Sequence, residues 1–251
     1  MNWVRLIPKF IRPLIGNITW LFAPTKVKHM AELHYWQSRW EQEGRVFRND
    51  FYEKLMLGIA NEKDASFLRD KIVADFGCGP RGSLCWASPA RIRIGIDVLA
   101  EQYARFFNIA SHNMYYLCST EQYIPLPSNY VDVLYTVNAM DHVADFESMC
   151  LELLRILAPG GELIASFNLD EPATFCEPQT MTEEKLKRGL LGSLEVTSYR
   201  LAPSGPNGDF YRYFFDSSDM PQILNPDIFG FEARNAANRT LKQSAYVSAG
   251  N

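Results

Sequence analysis

Lys71-Ile-Val-Ala-Asp75-Phe-Gly77-Cys-Gly79-Pro-Arg-Gly82 decides how this chain is read. Four apolar or small residues and a carboxylate run straight into three glycines, and a second apolar run, Ile92-Arg-Ile-Gly-Ile96, ends in another carboxylate, Asp97. Strand, glycine-rich loop, helix, strand is the order of a nucleotide-binding βαβ unit, with the second acid placed to hold a pair of ribose hydroxyls. Gly77, Gly79 and Gly82 also satisfy G-x-G-x-x-G, so the glycines alone do not choose the ligand. Two neighbours do. Asp75 would repel a diphosphate but suits a ligand carrying an ammonium and a sulfonium, such as S-adenosylmethionine (SAM). Pro80 has no N–H, which removes a donor that a phosphate cradle needs. An NAD-linked oxidoreductase is disfavoured on the same two residues.

Outward from this loop, strands are expected at Lys71–Asp75, Ile92–Asp97, Met114–Cys118, Val131–Val137 and Glu162–Phe167, and helices at Glu101–Ala110 and Phe146–Leu157. The second helix ends at Ala158-Pro-Gly-Gly161, where Pro and Gly stop a helix. Alternating strands and helices predict an α/β, Rossmann-like, mostly parallel sheet with helices on both faces. Further along, Thr182 caps a helix to Leu191, Leu194–Leu201 and Ala245–Ala249 complete seven strands, and Pro203–Phe229 reads as a loop or hairpin at the rim. Upstream, Glu32–Ala60 has helical periodicity, with Gly44 separating two helices. The expected organisation is an N-terminal helical cover or lid over residues 1–60 and a core over 61–251 with a rim insertion around 203–229.

A net charge of −4 argues against a nucleic-acid partner, since such affinity rests on Lys and Arg neutralising phosphates. The five cysteines include no CxxC pair and no zinc-type spacing, which fits reduced thiols in a cytoplasmic compartment. Residues 1–31 hold five Lys/Arg and no acid, interleaved with Trp3, Phe10, Trp20 and Phe22. The uncharged stretch Pro13–Pro24 is too short to span a bilayer, which takes roughly 20 apolar residues. Two readings stay open for it: peripheral membrane contact through residues 1–28, or a cover on the substrate pocket. Trp36, Trp40, Tyr211, Tyr213, Phe214 and Phe215 could wall an apolar or sugar-binding pocket or belong to the core.

Asp75-Phe-Gly-Cys-Gly79, Gly95-Ile-Asp97, Pro125-Leu-Pro-Ser-Asn-Tyr-Val-Asp132-Val-Leu-Tyr135, Asp141-His-Val143 and Leu157-Ala-Pro-Gly-Gly-Glu-Leu163 follow one another over Lys71–Asn168. In this order they resemble the class I SAM-dependent methyltransferases, and within them the small-molecule type labelled methyltransferase type 11. The resemblance implies SAM as cofactor, with Asp75, Gly77, Cys78 and Gly79 beneath its methionine and ribose, Asp97 on the ribose hydroxyls, and Asn138 near the methionine part. The adenine amine usually meets an Asp after strand three. Here that position is Ser119, followed by Thr120 and Glu121, a departure from the family pattern. Asp97 as a helix cap, and Ser119 or Thr120 as plain turn residues, remain alternatives.

Methyl transfer from a sulfonium is an in-line displacement, helped by positioning and water exclusion. A hydroxyl nucleophile also gains from a base of near-neutral pKa. His142, just past strand four, is the candidate base, with Asp141 orienting it or capping the next helix; a purely structural His142 is the alternative. Metal assistance through Asp141, Asn168 and Asp170 is the weaker option, and no metal ligand is assigned. The tetrapeptide Asn/Asp-Pro-Pro-Tyr/Phe of base and amide N-methylation is absent after strand four. The expected reaction is methylation of a small-molecule hydroxyl, on a sugar or secondary metabolite. A small-amine N-methyltransferase and a non-catalytic SAM-binding scaffold are the alternatives.

Overall fold

The computed structural model describes residues 24–202, 228–234 and 247–248. The chain divides into two compact units, residues 1–46 and 47–251. The first contains helix α1, Pro24–Gln42, which ends before Gly44; that glycine takes φ +75°, and Arg45 folds back to donate its N–H to the Trp40 carbonyl at 2.8 Å. The separator role expected of Gly44 follows from this left-handed turn. The basic segment expected at residues 1–28 lies outside the described residues up to Ala23, and so do Tyr211, Tyr213, Phe214 and Phe215. Among the described residues no helix is long and apolar enough to cross a membrane.

In the second unit, α2 (Phe51–Ala60) precedes β1 (Ile72–Phe76) and β2 (Ile92–Asp97). Then come α3 (Ala100–Phe106), β3 (Tyr115–Cys118), β4 (Val131–Val137), α4 (Phe146–Ile156) and β5 (Leu157–Asn168). The chain continues through α5 (Glu183–Gly189), β6 (Glu195–Ala202), β7 (Ile228–Arg234) and β8 (Val247–Ser248). The strands form one sheet in the order β3-β2-β1-β4-β5-β7-β6-β8. The first five run parallel, whereas β7 is antiparallel to both β5 and β6.

β1 is buried along its whole length, as a central strand covered on both faces must be. Its residues alternate between two cores. Ile72, Ala74 and Phe76 join Phe146, Met149 and Leu153 of α4 and Leu186 of α5 on one face. Val73 joins Met56, Ile59 and Ala60 of α2 on the other. Helix α2, grouped with the N-terminal cover in the sequence reading, is therefore a layer on the second unit's own sheet. Arg200 on β6 closes its C-terminal end by donating to the Gly58 and Ile59 carbonyls at 2.7 and 2.5 Å.

Three expectations need correction. No helix lies between β1 and β2; residues 77–91 form consecutive turns. Cys85, Ala87 and Ala90 donate to Gly82, Leu84 and Ala87 at 3.0–3.1 Å, and Pro80, Gly82 and Pro89 break any longer ladder. Leu84 and Ala87 are still fully buried, so the turns cover the sheet face as a helix would. Second, among the described residues the sheet has eight strands where seven were expected, because Ile228–Arg234 is a strand. The expected rim loop 203–229 thus ends in β7 at Ile228 and Phe229, and its residues 203–227 lie outside the described ones. Gly230 breaks the strand pattern locally, but pairing on both sides, Ser166 with Gly230 and Gly230 with Arg200, makes it a strand. Third, β5 begins at Leu157 without a loop, and Ala158–Gly161 is accommodated as an irregularity where the register jumps from Val131/Leu157 to Val133/Glu162.

Candidate active site

The order reverses between β1 and β4, and the carboxyl ends of β1 to β5 open on that switch point, where α/β sheets bind ligands. Gly77 leaves β1 with φ +75° and donates its N–H to the Ile96 carbonyl at 2.8 Å. A Cβ there would stand 2.2 Å from the Ala139 Cβ, so only glycine lets the β1 and β4 exits close together.

Asp97 laces three loops. Its Oδ2 accepts the Gly79 N–H at 3.0 Å, its Oδ1 accepts the Leu99 N–H at 2.9 Å, and its carbonyl accepts the Ser119 N–H at 3.3 Å. Leu99, not Asp97, occupies the cap position of α3, so the capping alternative holds only as an Asx-type turn. Because Asp97 holds the glycine loop and is the acid that the resemblance assigns to the ribose, Asp97→Ala is expected to lower both SAM affinity and thermal stability. We expect each by about 1.5–3 kcal/mol, the range for hydrogen bonds to a charged group. Calorimetric titration and a melting curve measure the two separately; an unchanged affinity would remove Asp97 from the ribose.

Asp75 is buried, with Oδ2 bonded to the Ser83 hydroxyl and Oδ1 without a partner. Burial, reinforced by the nearby Asp97, pushes its pKa up to about 7, against the lowering effect of Ser83. A buried carboxylate oxygen with no donor is costly unless a ligand completes it. The absent helix after β1 points the same way: no helix N-terminus stands here to attract a diphosphate. Cys78 packs its thiol toward Gly95, where a Cβ would lie 2.6 Å from the sulfur. Burial, with Asp97 and Asp75 nearby, pushes that thiol well up, so it stays protonated.

After β3 the three adenine-side candidates separate. Ser119 is buried and its hydroxyl has no partner. Thr120 is an exposed turn residue bonded to Tyr123 and Gln122, and Glu121 accepts the Ala144 N–H at 3.4 Å, tying this loop to the β4 exit. Arg155 and Glu152 of α4 hold the rest of the loop through the Ile124 and Leu126 backbone at 2.8–2.9 Å. Asn138, at φ +48°, bridges the β4 and β5 exits by accepting the Asn168 N–H at 3.4 Å. Among the described residues the Asp75 Oδ1 and the Ser119 Oγ are both left without a partner around the Gly77 turn, and such a set of open acceptors is compatible with a ligand as polar and cationic as SAM.

Beyond Asn138, Asp141 and His142 sit in a single helical turn, Met140–His142. Asp145, not Asp141, caps α4, accepting the Ser148 N–H at 3.0 Å. Asp141 is 8% exposed, and its Oδ1 has no partner. Burial raises its pKa; His142 opposes this and Glu177 and Glu171 add to it. The imidazole Nε2 of His142 lies 3.8 Å from the Glu177 Oε1. Glu177 was missed in the sequence because its loop has no periodicity. It is delivered by a turn closed between Thr174 and Glu177, and by Gln179, whose amide donates to the Val143 and Ala144 carbonyls at 3.1 and 3.0 Å. Ser83 was missed for the same reason. Of the expected alternative metal ligands, Asn168 donates to Glu171 at 3.2 Å and Asp170 is an exposed residue at φ +58°.

Residues 74–165 match the family described as "Methyltransferase domain". The chain is 26% identical over 149 residues to the ubiquinone/menaquinone biosynthesis C-methyltransferase UbiE of Saccharophagus degradans, covering 57% of this chain and 52% of UbiE. It thus spans about half the length of that curated relative. The fold is similar to a SAM-dependent methyltransferase of Mesorhizobium loti (TM-score 0.51, 16% identity, 66% of this chain and 92% of that one). It is equally similar to the [4+2]-cyclase SpnF (TM-score 0.51, 19% identity, 73% and 80%). The second likeness shows why fold does not settle reaction. The matched residues, the switch-point site and the strand order agree: residues 74–165 match a methyltransferase domain, and the fold around them is similar to that of SAM-dependent methyltransferases.

Proposed function

We propose that the chain transfers the SAM methyl group to a hydroxyl of a small molecule, and that His142 removes the hydroxyl proton. The observation that carries this reading is the half-exposed His142 imidazole facing Glu177 at the β4 exit, four residues past Asn138, the residue that the resemblance assigns to the methionine part. Bound SAM supplies an electrophilic methyl on a sulfonium. Asp75 and Ser119 would complete their open polar atoms on it, Asp97 and the Gly77–Gly79 turn would hold the ribose side, and the imidazole would take the acceptor's proton as the methyl passes from sulfur to oxygen and the demethylated thioether leaves. Glu177 stabilises the imidazolium that results.

A second reading, methylation at carbon, is favoured by the similarity to UbiE. The same base serves it, because deprotonating a hydroxyl on a conjugated ring makes the neighbouring carbon nucleophilic. The test is transfer of isotope-labelled methyl from SAM to phenols, sugars and amines, with the product bond assigned by NMR. An O–CH3 product supports the first reading and a C–CH3 product the second. An N–CH3 product on amines alone, or SAM binding with no transfer to any acceptor, would overturn both.

A further inference from the structure

Asp141, His142 and Glu177 offer one imidazole nitrogen and two carboxylates whose ligating atoms all lie within 4.8 Å of one another. We propose that they form a binding site for a divalent first-row transition-metal cation, and that its occupancy blocks the base. The proposal rests on the catalytic reading of His142 given above.

Two independent observations carry it. The first is the donor set. Mixed imidazole and carboxylate ligation suits Mn²⁺, Fe²⁺ or Zn²⁺ better than Ca²⁺ or Mg²⁺, which prefer oxygen alone. Ligand atoms bound at about 2.1 Å from one ion stand roughly 3–4 Å apart, and the His142 Nε2 to Glu177 Oε1 separation is 3.8 Å. The second is Asp141. It is 8% exposed, yet its Oδ1 has no hydrogen-bond partner. A buried acceptor left open is costly, and a cation beside His142 and Glu177 would satisfy it. The backbone is already committed to the grouping: the Asp141 carbonyl accepts the Gln179 N–H at 3.1 Å, which holds the Glu177 loop against the Asp141–His142 turn. His142 and Glu177 are 37% and 41% exposed, so rotation of these two side chains closes the remaining distance and leaves coordination positions open to water.

The consequence follows from the imidazole lone pair. It takes either a proton or a metal ion, so a filled site cannot deprotonate the acceptor. The site is therefore inhibitory.

Mn²⁺ is the probe, because the five free cysteines would compete for Zn²⁺ but bind Mn²⁺ poorly. Calorimetric titration of the full chain, without SAM or acceptor, should show one saturable Mn²⁺ site. Glu177→Gln and Asp141→Asn should each weaken it by more than the roughly 10–100-fold cost of disturbing an outer-shell partner. Retained SAM-induced stabilisation of both variants shows that they are folded. Absence of saturable binding in the wild type, or binding unaffected by both substitutions, would overturn the site. In the activity assay Mn²⁺ should inhibit, and a chelator should restore turnover; stimulation by Mn²⁺ would overturn the inhibitory role. Failure of the base reading is a different result, namely full turnover by His142→Ala in metal-free buffer.

Discussion

His142→Ala is expected to lower turnover by about 10²–10⁴-fold while SAM affinity stays nearly constant, because a general base contributes that range and would act on the acceptor, not on the cofactor. The loss should appear in kcat and kcat/KM together, as for an interaction made in the transition state. Turnover within a few-fold of wild type would remove the base and leave positioning as the source of rate.

Asp75→Asn should separate binding from stability in opposite directions. The wild-type carboxyl has a folded pKa of about 7, raised above its ordinary value by burial. A raised folded pKa means that stability is fully present at low pH and is lost as pH climbs. The window here runs from about pH 4, where the unfolded chain ionises, to about pH 7. Each unit corresponds to about 1.4 kcal/mol, so the apo protein gives up on the order of 4 kcal/mol across it. Asparagine keeps the shape and can still accept from Ser83, but it carries no charge to bury. The apo variant should therefore melt higher than wild type at pH 8 and match it near pH 4. SAM affinity should fall by roughly 10–150-fold at pH 8, equivalent to about 1.5–3 kcal/mol for a lost charged partner. Wild-type affinity should climb as pH passes through about 7, and the variant's should stay flat. Unaltered SAM binding would place the ammonium elsewhere.

The gain in the apo state and the loss in the bound state share one cause. The Asp75 carboxylate is held desolvated, with one oxygen open among the described residues, and a cationic ligand would complete it. Function of this kind stores instability in the empty site.

Local chemistry was enough to read the parallel half of the fold and its ligand from the chain itself. Val131–Val137 and Ile92–Asp97 are strands at the expected limits, because strands inside a parallel sheet are rich in β-branched and other apolar residues. Gly77 and Gly79 do adopt positive φ, Asp97 does meet the glycine loop, and Thr182 does cap its helix, since each depends on residues within a turn or on one strand-end pairing. The preference for a cationic ligand over a diphosphate also rested on two residues, Asp75 and Pro80.

Only the tertiary structure decided the rest, and each case depends on partners distant in the chain. Residues 77–91 fold as turns and not a helix, since burying Leu84 and Ala87 against the sheet does not require a helical ladder that two prolines interrupt. Ile228–Arg234 becomes a strand because β5 and β6 pair with it on both edges, despite Gly230. Glu177 reaches His142 from 35 residues further along the chain through hydrogen bonds that the Gln179 side-chain amide donates to the Val143 and Ala144 carbonyls, which no spacing within either segment encodes. Periodicity and turn chemistry act over a few residues and are written locally; the meeting of side chains across loops is set by how the sheet brings its strand ends together.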